Sequence, residues 1–200
     1  MGEIRNAERT RKLILNAAKE EFFEKGYTGA RIESIAKRAG INKQLIYHYF
    51  QGKEELINKT LEESATSFPS HFVLPANPVD IAEFRFKVNQ EYLMDFLKFT
   101  AWEAIETQPN HLKGEEQRKK ILDSYNKDMQ SKQEMGLVPK ELDPTLLTLM
   151  ISSLTIYPLL YKDVTQMITG YNPDEQEFKE KWAQFLRLVS KRIFKEIENK

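Results

Sequence analysis

Residues 35–56 read IAKRAGINKQLIYHYFQGKEEL and combine two sets of side chains that a helix can place on opposite faces. The apolar set recurs at helical spacing and consists of Ile35, Ala36, Ala39, Ile41, Ile46 and Phe50. The polar and aromatic set crowds one short segment and consists of Lys43, Gln44, Tyr47, His48 and Tyr49. Gly40 permits a tight turn, and Asn42 is a strong N-cap candidate for a helix over 43–49. The spacing therefore predicts two short helices joined by a glycine-bearing turn.

Two helices joined in this way form a helix-turn-helix, whose second helix enters the major groove of DNA. We expect base contacts from Lys43, Gln44 and Tyr47, because glutamine bonds adenine bidentately and lysine donates to guanine. Leu45 suits a thymine methyl group. Phosphate oxygens suit the donors of His48, Tyr49 and Lys53. The same aromatic residues are also compatible with an ordinary exposed helix surface.

The rest of the chain is also predicted to be helical, since no strand-like alternation or hairpin signal occurs. Gly26 should end the first helix, and Arg31 offers no good cap for the second. The first predicted helices span 6–25, 31–38, 43–49, a segment from Lys53, 80–107 and 115–134. A further helix, capped by Asp143, runs from Pro144 to about 168 with a kink near Pro158, and a last one starts at Pro173 and is capped by Asn172. The fold class is therefore all-α, with a three-helix head at the N-terminus.

Prolines at Pro69, Pro75 and Pro78 divide the chain into two parts. We expect a helix-turn-helix domain over 1–52 and a helical domain over 53–200, of which 53–68 is a connecting helix. Charge follows this division, although the net charge is zero: residues 1–53 hold 11 Lys/Arg and 6 Asp/Glu, whereas the remainder holds 19 and 24. A basic N-terminal part suits a nucleic-acid partner.

Composition excludes several other classes of protein. The chain has no cysteine, which excludes disulfides and thiolate catalysis and favours an intracellular setting. Its charged N-terminus leads into no signal-peptide core, and no apolar run approaches the roughly 18 residues of a membrane span. We expect a cytoplasmic protein without membrane contact. The scattered His48, His71 and His111 and the lack of catalytic motifs indicate no metal, no cofactor and no enzymatic activity.

Residues 22–56, FFEKGYTGARIESIAKRAGINKQLIYHYFQGKEEL, resemble the DNA-binding region of the TetR family of transcriptional regulators. The matching features are the Gly26-Tyr27 helix end, Ile35-Ala36, the Ala39-Gly40-Ile41 turn, Leu45-Ile46-Tyr47-His48-Tyr49-Phe50 and Lys53-Glu54-Glu55-Leu56. The resemblance implies base contacts from Lys43, Gln44 and Tyr47, and phosphate contacts from His48, Tyr49, Lys53 and Thr28. Arg31 stands where many relatives have a hydroxyl residue and is a further candidate for a phosphate contact. Gln44 and Leu45 stand where relatives usually carry a small residue and often threonine.

In this family the C-terminal part is a helical domain that dimerises and binds a small molecule. The resemblance thus implies a ligand-responsive repressor that binds a palindromic operator in double-stranded DNA as a homodimer, with a small-molecule effector of unknown identity. Candidate pocket residues are Tyr92, Phe96, Phe99, Trp102, Glu103, Tyr125, Met129 and Tyr157. Core packing explains the aromatic stripe equally well. Glu103 and Glu106 either face solvent or pair with a cationic ligand.

The last helix carries a long apolar stripe that can serve the core of its own chain, a dimer seam, or both. Candidate dimer residues are Leu154, Trp182, Phe185, Leu186, Val189 and Ile193. Two alternative functions stay open at this point. One is a helical adaptor that binds a protein partner and carries a vestigial DNA-binding head. The other is a helical ligand-binding or catalytic protein without a DNA function.

Overall fold

The computed structural model describes residues 2–66, 73–106 and 112–197. All regular structure in these residues is helical, which confirms the all-α prediction. The described residues form ten helices: α1 (Gly2–Gly29), α2 (Ile32–Ala39), α3 (Lys43–Tyr49), α4 (Lys53–Thr66), α5 (Ile81–Tyr92), α6 (Met94–Glu106), α7 (Glu115–Glu134), α8 (Pro144–Leu160), α9 (Lys162–Thr169) and α10 (Gln176–Ile193). A short 3₁₀ turn, Pro78–Asp80, precedes α5.

Local signals set the ends of several helices where the sequence predicts them. Gly26 interrupts α1 with φ +68° and ψ 176°, so that the regular helix stops there and one short turn follows. Gly40, at φ +65° and ψ 31°, closes α2. The Asn42 Oδ1 accepts a hydrogen bond from the Gln44 amide at 3.0 Å and caps α3. Asp143 caps α8 in the same way, through the amides of Thr145 and Leu146.

The predicted helix over 80–107 is two helices, because the chain bends at Leu93 between α5 and α6. Leu93 has φ −112° and ψ 0°, outside the range of a regular helix. Hydrogen bonding nevertheless continues across the bend. The Leu93 amide donates to the Asn89 carbonyl at 3.2 Å, and the Leu97 amide donates to the Leu93 carbonyl at 2.8 Å.

The predicted kink at Pro158 is instead a break at Tyr161, where α8 and α9 meet at 96°. Pro158 has no amide hydrogen for the Leu154 carbonyl one turn earlier. The Trp182 indole N–H takes that place, donating to the Leu154 carbonyl at 3.1 Å, so that α8 passes Pro158 without an orphan acceptor. No single helix among the described residues is long and apolar enough to cross a membrane; only the bent pair of α8 and α9 meets that test.

The last helix begins at Gln176, three residues after the predicted start at Pro173. The Asn172 Oδ1 accepts from the Asp174 amide at 3.0 Å, and the Asn172 carbonyl accepts from the Glu175 amide at 3.0 Å. These bonds close a separate turn, so Asn172 does not cap α10. Glu175 stands at the N-cap position with an extended backbone and without a side-chain cap bond.

The described residues form two compact units. The first contains the residues up to 66 and the described part of 98–119; the second contains 73–97 and 120–197. The unit boundary therefore falls inside α6 and inside α7. The predicted functional boundary at residue 52 stays a prediction, and Pro69 and the end of the predicted connecting helix lie outside the described residues. The second unit encloses an apolar core that includes Val79, Phe86, Met129, Leu147, Ile151, Phe178 and Leu186.

Replacing Gly26 by alanine is expected to lower the free energy of unfolding by about 1–2 kcal/mol, because an L-residue is strained at φ +68°. The added Cβ would also lie 3.3 Å from Glu106 Oε1 and from Trp102 Cβ. Gly29→Ala is the control, since its Cβ meets only Lys25 Cβ, at 3.4 Å. Urea denaturation followed by circular dichroism measures the free energy of unfolding of both variants. Equal destabilisation by the two substitutions would contradict the view that the positive φ of Gly26 requires glycine.

Candidate DNA-binding surface

Helix α3 is held in place by one buried residue in its middle and one at its end. Ile46 is fully buried, and Phe50, which follows the helix, is 2% exposed. They belong to a core with Phe22 of α1 and with Ile35 and Ala36 of α2. The opposite face of α3 remains open to solvent, which is the arrangement that a recognition helix requires.

The three predicted base-contacting residues share this open face. Lys43, Gln44 and Tyr47 are exposed, with Tyr47 at 49%. The Lys43 ammonium pairs with the Glu33 carboxylate of α2 and lies 5.8 Å from the centroid of the Tyr47 ring. The hydrogen bond between this pair raises the pKa of Lys43 and lowers the pKa of Glu33. The Glu33 carboxylate is therefore the ion-pair partner of the lysine that we expect to contact a base.

The flanking residues of α3 are arranged beside this face. Leu45 and Tyr49 are half-buried, and His48 is exposed. The His48 and Tyr49 rings lie edge to face, with their centroids 5.5 Å apart. Polar donors thus stand next to an apolar side chain, as a surface that contacts both backbone and base edges requires.

Lys53 at the start of α4 lies beside Thr28 at the end of α1, and both are predicted to contact phosphate. The Lys53 ammonium donates to the Thr28 carbonyl at 3.3 Å and lies 4.7 Å from the centroid of the Tyr27 ring. Lys113 lies at the same distance from that ring. Burial lowers the pKa of Lys53, and Glu106 and Glu21 oppose that effect. Arg31, the further candidate for a phosphate contact, is exposed at the start of α2.

Glu21 of α1 holds both ends of α2 in place beneath this surface, and its role could not be seen from the sequence pattern used above. Its carboxylate is fully buried and accepts hydrogen bonds from Lys25 Nζ at 3.1 Å and from Arg38 Nε at 2.9 Å. The Arg31 backbone amide is a third donor. Burial raises the pKa of Glu21, but these hydrogen bonds outweigh it and the net shift is downward. The available signal was an acid one helical turn after Ala17 and Ala18, on the apolar face of α1.

The predicted pocket residues are divided between the two units. Phe99, Trp102 and Glu103 lie in the first, whereas Tyr92, Phe96, Tyr125, Met129 and Tyr157 lie in the second. Phe99 is buried against Phe23, with ring centroids 5.5 Å apart. The buried Glu103 carboxylate pairs with Arg118 at 2.7 Å and accepts from the Lys113 amide at 2.7 Å. These protein partners occupy the carboxylate that the sequence offered to a cationic ligand.

The second-unit candidates also differ among themselves in exposure. Met129 is buried in the core, whereas Tyr92 and Tyr157 are exposed and Phe96 is half-buried. Tyr157 stacks on Tyr161, with ring centroids 4.8 Å apart. The described residues include no group of three or more His, Asp or Glu side chains placed to hold a metal ion, and His71 and His111 lie outside them.

The predicted dimer residues fall into two groups. Leu186 is buried in the core of its own unit, and Leu154, Trp182 and Ile193 pack against that core. Phe185 is exposed and Val189 is half-buried. The structure adds exposed apolar residues that the sequence reasoning missed: Leu146, Leu149 and Leu188. Leu146, Leu149 and Tyr157 recur at i, i+3 and i+11 along α8, a helical spacing that could have identified this face.

A helix-turn-helix whose second helix is anchored by buried residues on one side and exposed to solvent on the other is the arrangement of a DNA-binding protein. Residues 14–60 match the sequence model of the family described as "Bacterial regulatory proteins, tetR family". The HTH-type transcriptional repressor SCO4008 of Streptomyces coelicolor is 30% identical over 151 residues, covering 74% of this chain and 78% of the relative. The chain belongs to the TetR family of bacterial regulators, and the prediction of a DNA-binding transcriptional regulator is confirmed.

Other relatives match part of the sequence or the fold. The transcriptional repressor NicS of Pseudomonas putida is 47% identical over 62 residues, covering 31% of this chain and 29% of NicS. The solved structure of the transcriptional regulator SCO4942 from Streptomyces coelicolor aligns with a TM-score of 0.73 at 22% identity, covering 90% of this chain and 97% of that one. AibR, solved with isovaleryl coenzyme A and operator DNA, aligns with a TM-score of 0.66 at 18% identity, covering 94% and 100%. These two structures share the fold of this chain.

Glu33→Gln is expected to raise the affinity for duplex DNA severalfold, because it removes a negative charge beside α3 and releases the Lys43 ammonium. Glu83→Gln is the matched control, since it removes the same charge from a lysine pair in the second unit, Lys87 Nζ to Glu83 Oε1 at 2.7 Å. Fluorescence anisotropy with a labelled duplex at fixed salt measures both. Equal affinity of the two variants would argue against Lys43 at the DNA surface.

Proposed function

We propose that this protein is a ligand-responsive repressor that acts in the cytoplasm and binds a two-fold symmetric operator as a homodimer. The observation that carries the proposal is the exposed face of α3, which presents Lys43, Gln44 and Tyr47 while Ile46 fixes the helix. Two relatives, SCO4008 and NicS, are named as repressors, which supports repression over activation. A bound repressor of this type would block transcription until its effector releases it.

In this proposal the surface has two kinds of contact. Lys43, Gln44 and Tyr47 read base edges, and Leu45 contacts a thymine methyl group. Residues around them hold the phosphate backbone and fix the register of α3: Thr28, Arg31, His48, Tyr49 and Lys53. The amide of Gln44 can both donate and accept, so it discriminates adenine from the other bases. The sequence preference of this regulator should therefore depend mainly on Gln44 and Leu45.

A second copy of the chain would cover the exposed apolar face of α8 and α10. Leu146, Leu149 and Tyr157 of α8 and Phe185 and Leu188 of α10 expose large apolar side chains. These two helices are long enough to form a four-helix bundle with their symmetry mates. An isologous interface of this kind places two heads in two-fold symmetry, which matches a palindromic site.

An effector bound in the second unit would reach the head through α6, which begins in the second unit and ends in the first. The end of α6 is tied to the head, since Glu106 Oε2 accepts from the Thr28 amide at 3.3 Å. A shift of α6 would alter this bond beside Lys53. The effector can act only by its differential affinity for the two positions of the heads. AibR with isovaleryl coenzyme A and FadR from Bacillus subtilis with stearoyl-CoA give precedents for ligands on this fold.

Selection from a random pool of duplexes should enrich a two-fold symmetric site. Gln44→Ala should relax the preference at particular base positions, because the bidentate contact to one base is lost. Lys53→Gln should weaken binding to all sequences alike and reduce the slope of log affinity against log salt by about one. Sequencing of the enriched pools and anisotropy titrations across a salt series measure these effects.

Lys87→Gln is the control for Lys53→Gln, because it removes one exposed lysine from the second unit. It should leave both the enriched site and the salt slope unchanged. Enrichment of no motif at moderate salt would sink the proposal of sequence-specific binding. Identical effects of Gln44→Ala and Lys53→Gln on cognate and random DNA would show that the assignment of base reader and backbone contact is wrong.

Leu188→Glu is expected to convert the homodimer into monomers, because it places a charge in the apolar face of α10, where Leu188 is 56% exposed in the single chain. Size-exclusion chromatography with light scattering measures the mass. Leu122→Glu on α7 is the control, since Leu122 is similarly exposed, at 48%, outside that face. Dimers of both variants at the same concentration would exclude the α8–α10 face as the interface.

A further inference from the structure

Arg85 is a buried cation with no counter-ion among the described residues. It lies on α5 in the second unit and is 9% exposed. Among the described residues no carboxylate lies within ion-pair distance of its guanidinium. Its Nη2 donates to the Ser152 hydroxyl at 3.0 Å, and its central carbon lies 4.7 Å from the centroid of the Tyr125 ring. Burial lowers the pKa of Arg85, and Tyr125 opposes that effect, but an arginine remains charged at neutral pH.

The other buried cation of the same unit is paired. Lys132 is 5% exposed, and its ammonium lies 2.6 Å from both carboxylate oxygens of Asp128. A charge transferred from water into a protein core is strongly destabilising unless an opposite charge and hydrogen bonds compensate it. Within the described part of the chain, Lys132 thus has a compensating charge and Arg85 has none.

The groups next to Arg85 are polar and neutral. Asn89, one turn further along α5, donates from Nδ2 to the Thr155 carbonyl at 3.3 Å and to the Thr155 hydroxyl at 3.2 Å. Ser152, the hydrogen-bond acceptor of Arg85, donates to the Thr148 carbonyl at 2.7 Å. Three helices, α5, α7 and α8, thus contribute to one cluster that contains a single positive charge.

The cluster adjoins the apolar core of the unit, in which Phe86, Met129 and Ile151 are fully buried or nearly so. A ligand that matches these surroundings needs one negative charge and an apolar body. A carboxylate carries a single charge and accepts two parallel N–H bonds from a guanidinium. A phosphate dianion would leave an uncompensated charge in the same core, so the carboxylate fits better.

We propose that Arg85 anchors the carboxylate of the effector and that the effector is an amphipathic organic monocarboxylate. The inference rests on the proposed function, which places an effector in the second unit. The carboxylate takes the guanidinium from Ser152 and Tyr125, and the apolar body lies among the core residues of α5, α7 and α8. Because α7 continues into the first unit, a change in the Tyr125 contact is transmitted along that helix.

The first part of the test concerns the free protein. Arg85→Met keeps a linear apolar side chain and removes the uncompensated charge, so the midpoint of thermal unfolding should stay equal or rise. Lys132→Met is the matched control, and its midpoint should fall because Asp128 loses its partner. A fall of Arg85→Met as large as that of Lys132→Met would show that Arg85 is a structural residue and would overturn the proposal.

The second part uses defined probes on the full-length protein. Straight-chain monocarboxylates from butanoate to dodecanoate are compared with the primary amides of the same chain lengths by thermal shift and titration calorimetry. At least one acid should bind the unaltered protein while its amide does not. Arg85→Met should weaken that binding about 10- to 100-fold. Arg85→Lys should keep the preference for acid over amide with weaker binding, and Lys87→Met, an exposed neighbour on α5, should bind as the unaltered protein does.

Three outcomes would overturn the inference: equal binding of acids and amides, equal binding by the unaltered protein and Arg85→Met, or no binding of any acid in the series. Operator binding is measured in parallel, so that the two proposals can fail separately. A protein that selects its operator but binds no carboxylate retains the proposed function and loses this inference. A protein that binds the acids through Arg85 but selects no operator retains this inference on the ligand and loses the proposed function.

Discussion

The buried carboxylate of Glu21 is the interaction on which the arrangement of the head depends. Helix α2 has no side-chain cap at its start, and the Arg31 amide bonds to Glu21 of α1 instead, while Arg38 at the other end of α2 bonds to the same carboxylate. Because α3 follows α2 after a single turn at Gly40, the bonds that position α2 also help to position the exposed face of α3, which carries Lys43, Gln44 and Tyr47. Folding lowers the pKa of Glu21, so its stabilising effect is present above the pKa of the unfolded chain and disappears as the pH falls through the folded pKa.

Helix ends could be predicted from the sequence where the deciding contacts are local. Asn42 and Asp143 bond amides two or three residues away, so the residue type alone predicts the cap. The regular course of α8 past Pro158 depends on a contact made elsewhere in the chain: the Leu154 carbonyl left free by Pro158 accepts from the Trp182 indole, which is 28 residues away. The proline by itself predicts a kink at that point, because neither the residue type nor the apolar periodicity carries information about a hydrogen-bond donor so far along the chain.

The candidate site shows the same limit. Exposure of Lys43 and Tyr47 could be predicted, because the helical period separates them from Ile46. The pairing of Lys43 with Glu33 and the position of Lys53 over Tyr27 could not, since both join different helices. The aromatic stripe along α5 and α6 suggests one pocket, and this stays a prediction; the bend at Leu93, which ends α5, could not be predicted from that stripe. The sequence shows Arg85 as a cation on the same face of α5 as Ala82, Phe86 and Asn89. It could not show that the described residues supply no counter-ion for it.

The buried charges of the described residues differ in whether the chain supplies an opposite charge, and this difference bears on function. Glu21, Glu103 and Lys132 each have an opposite charge within the chain, which offsets the cost of removing them from water. Arg85 has none among the described residues, and its burial opposes folding. Residues that bind a ligand commonly lower the stability of the free protein in this way, because a charged group that is already paired within its own chain gains little from pairing with a ligand. By the same reasoning Glu103, which the sequence suggested for a ligand, is better understood as part of the structure that holds the end of α6 beside the head.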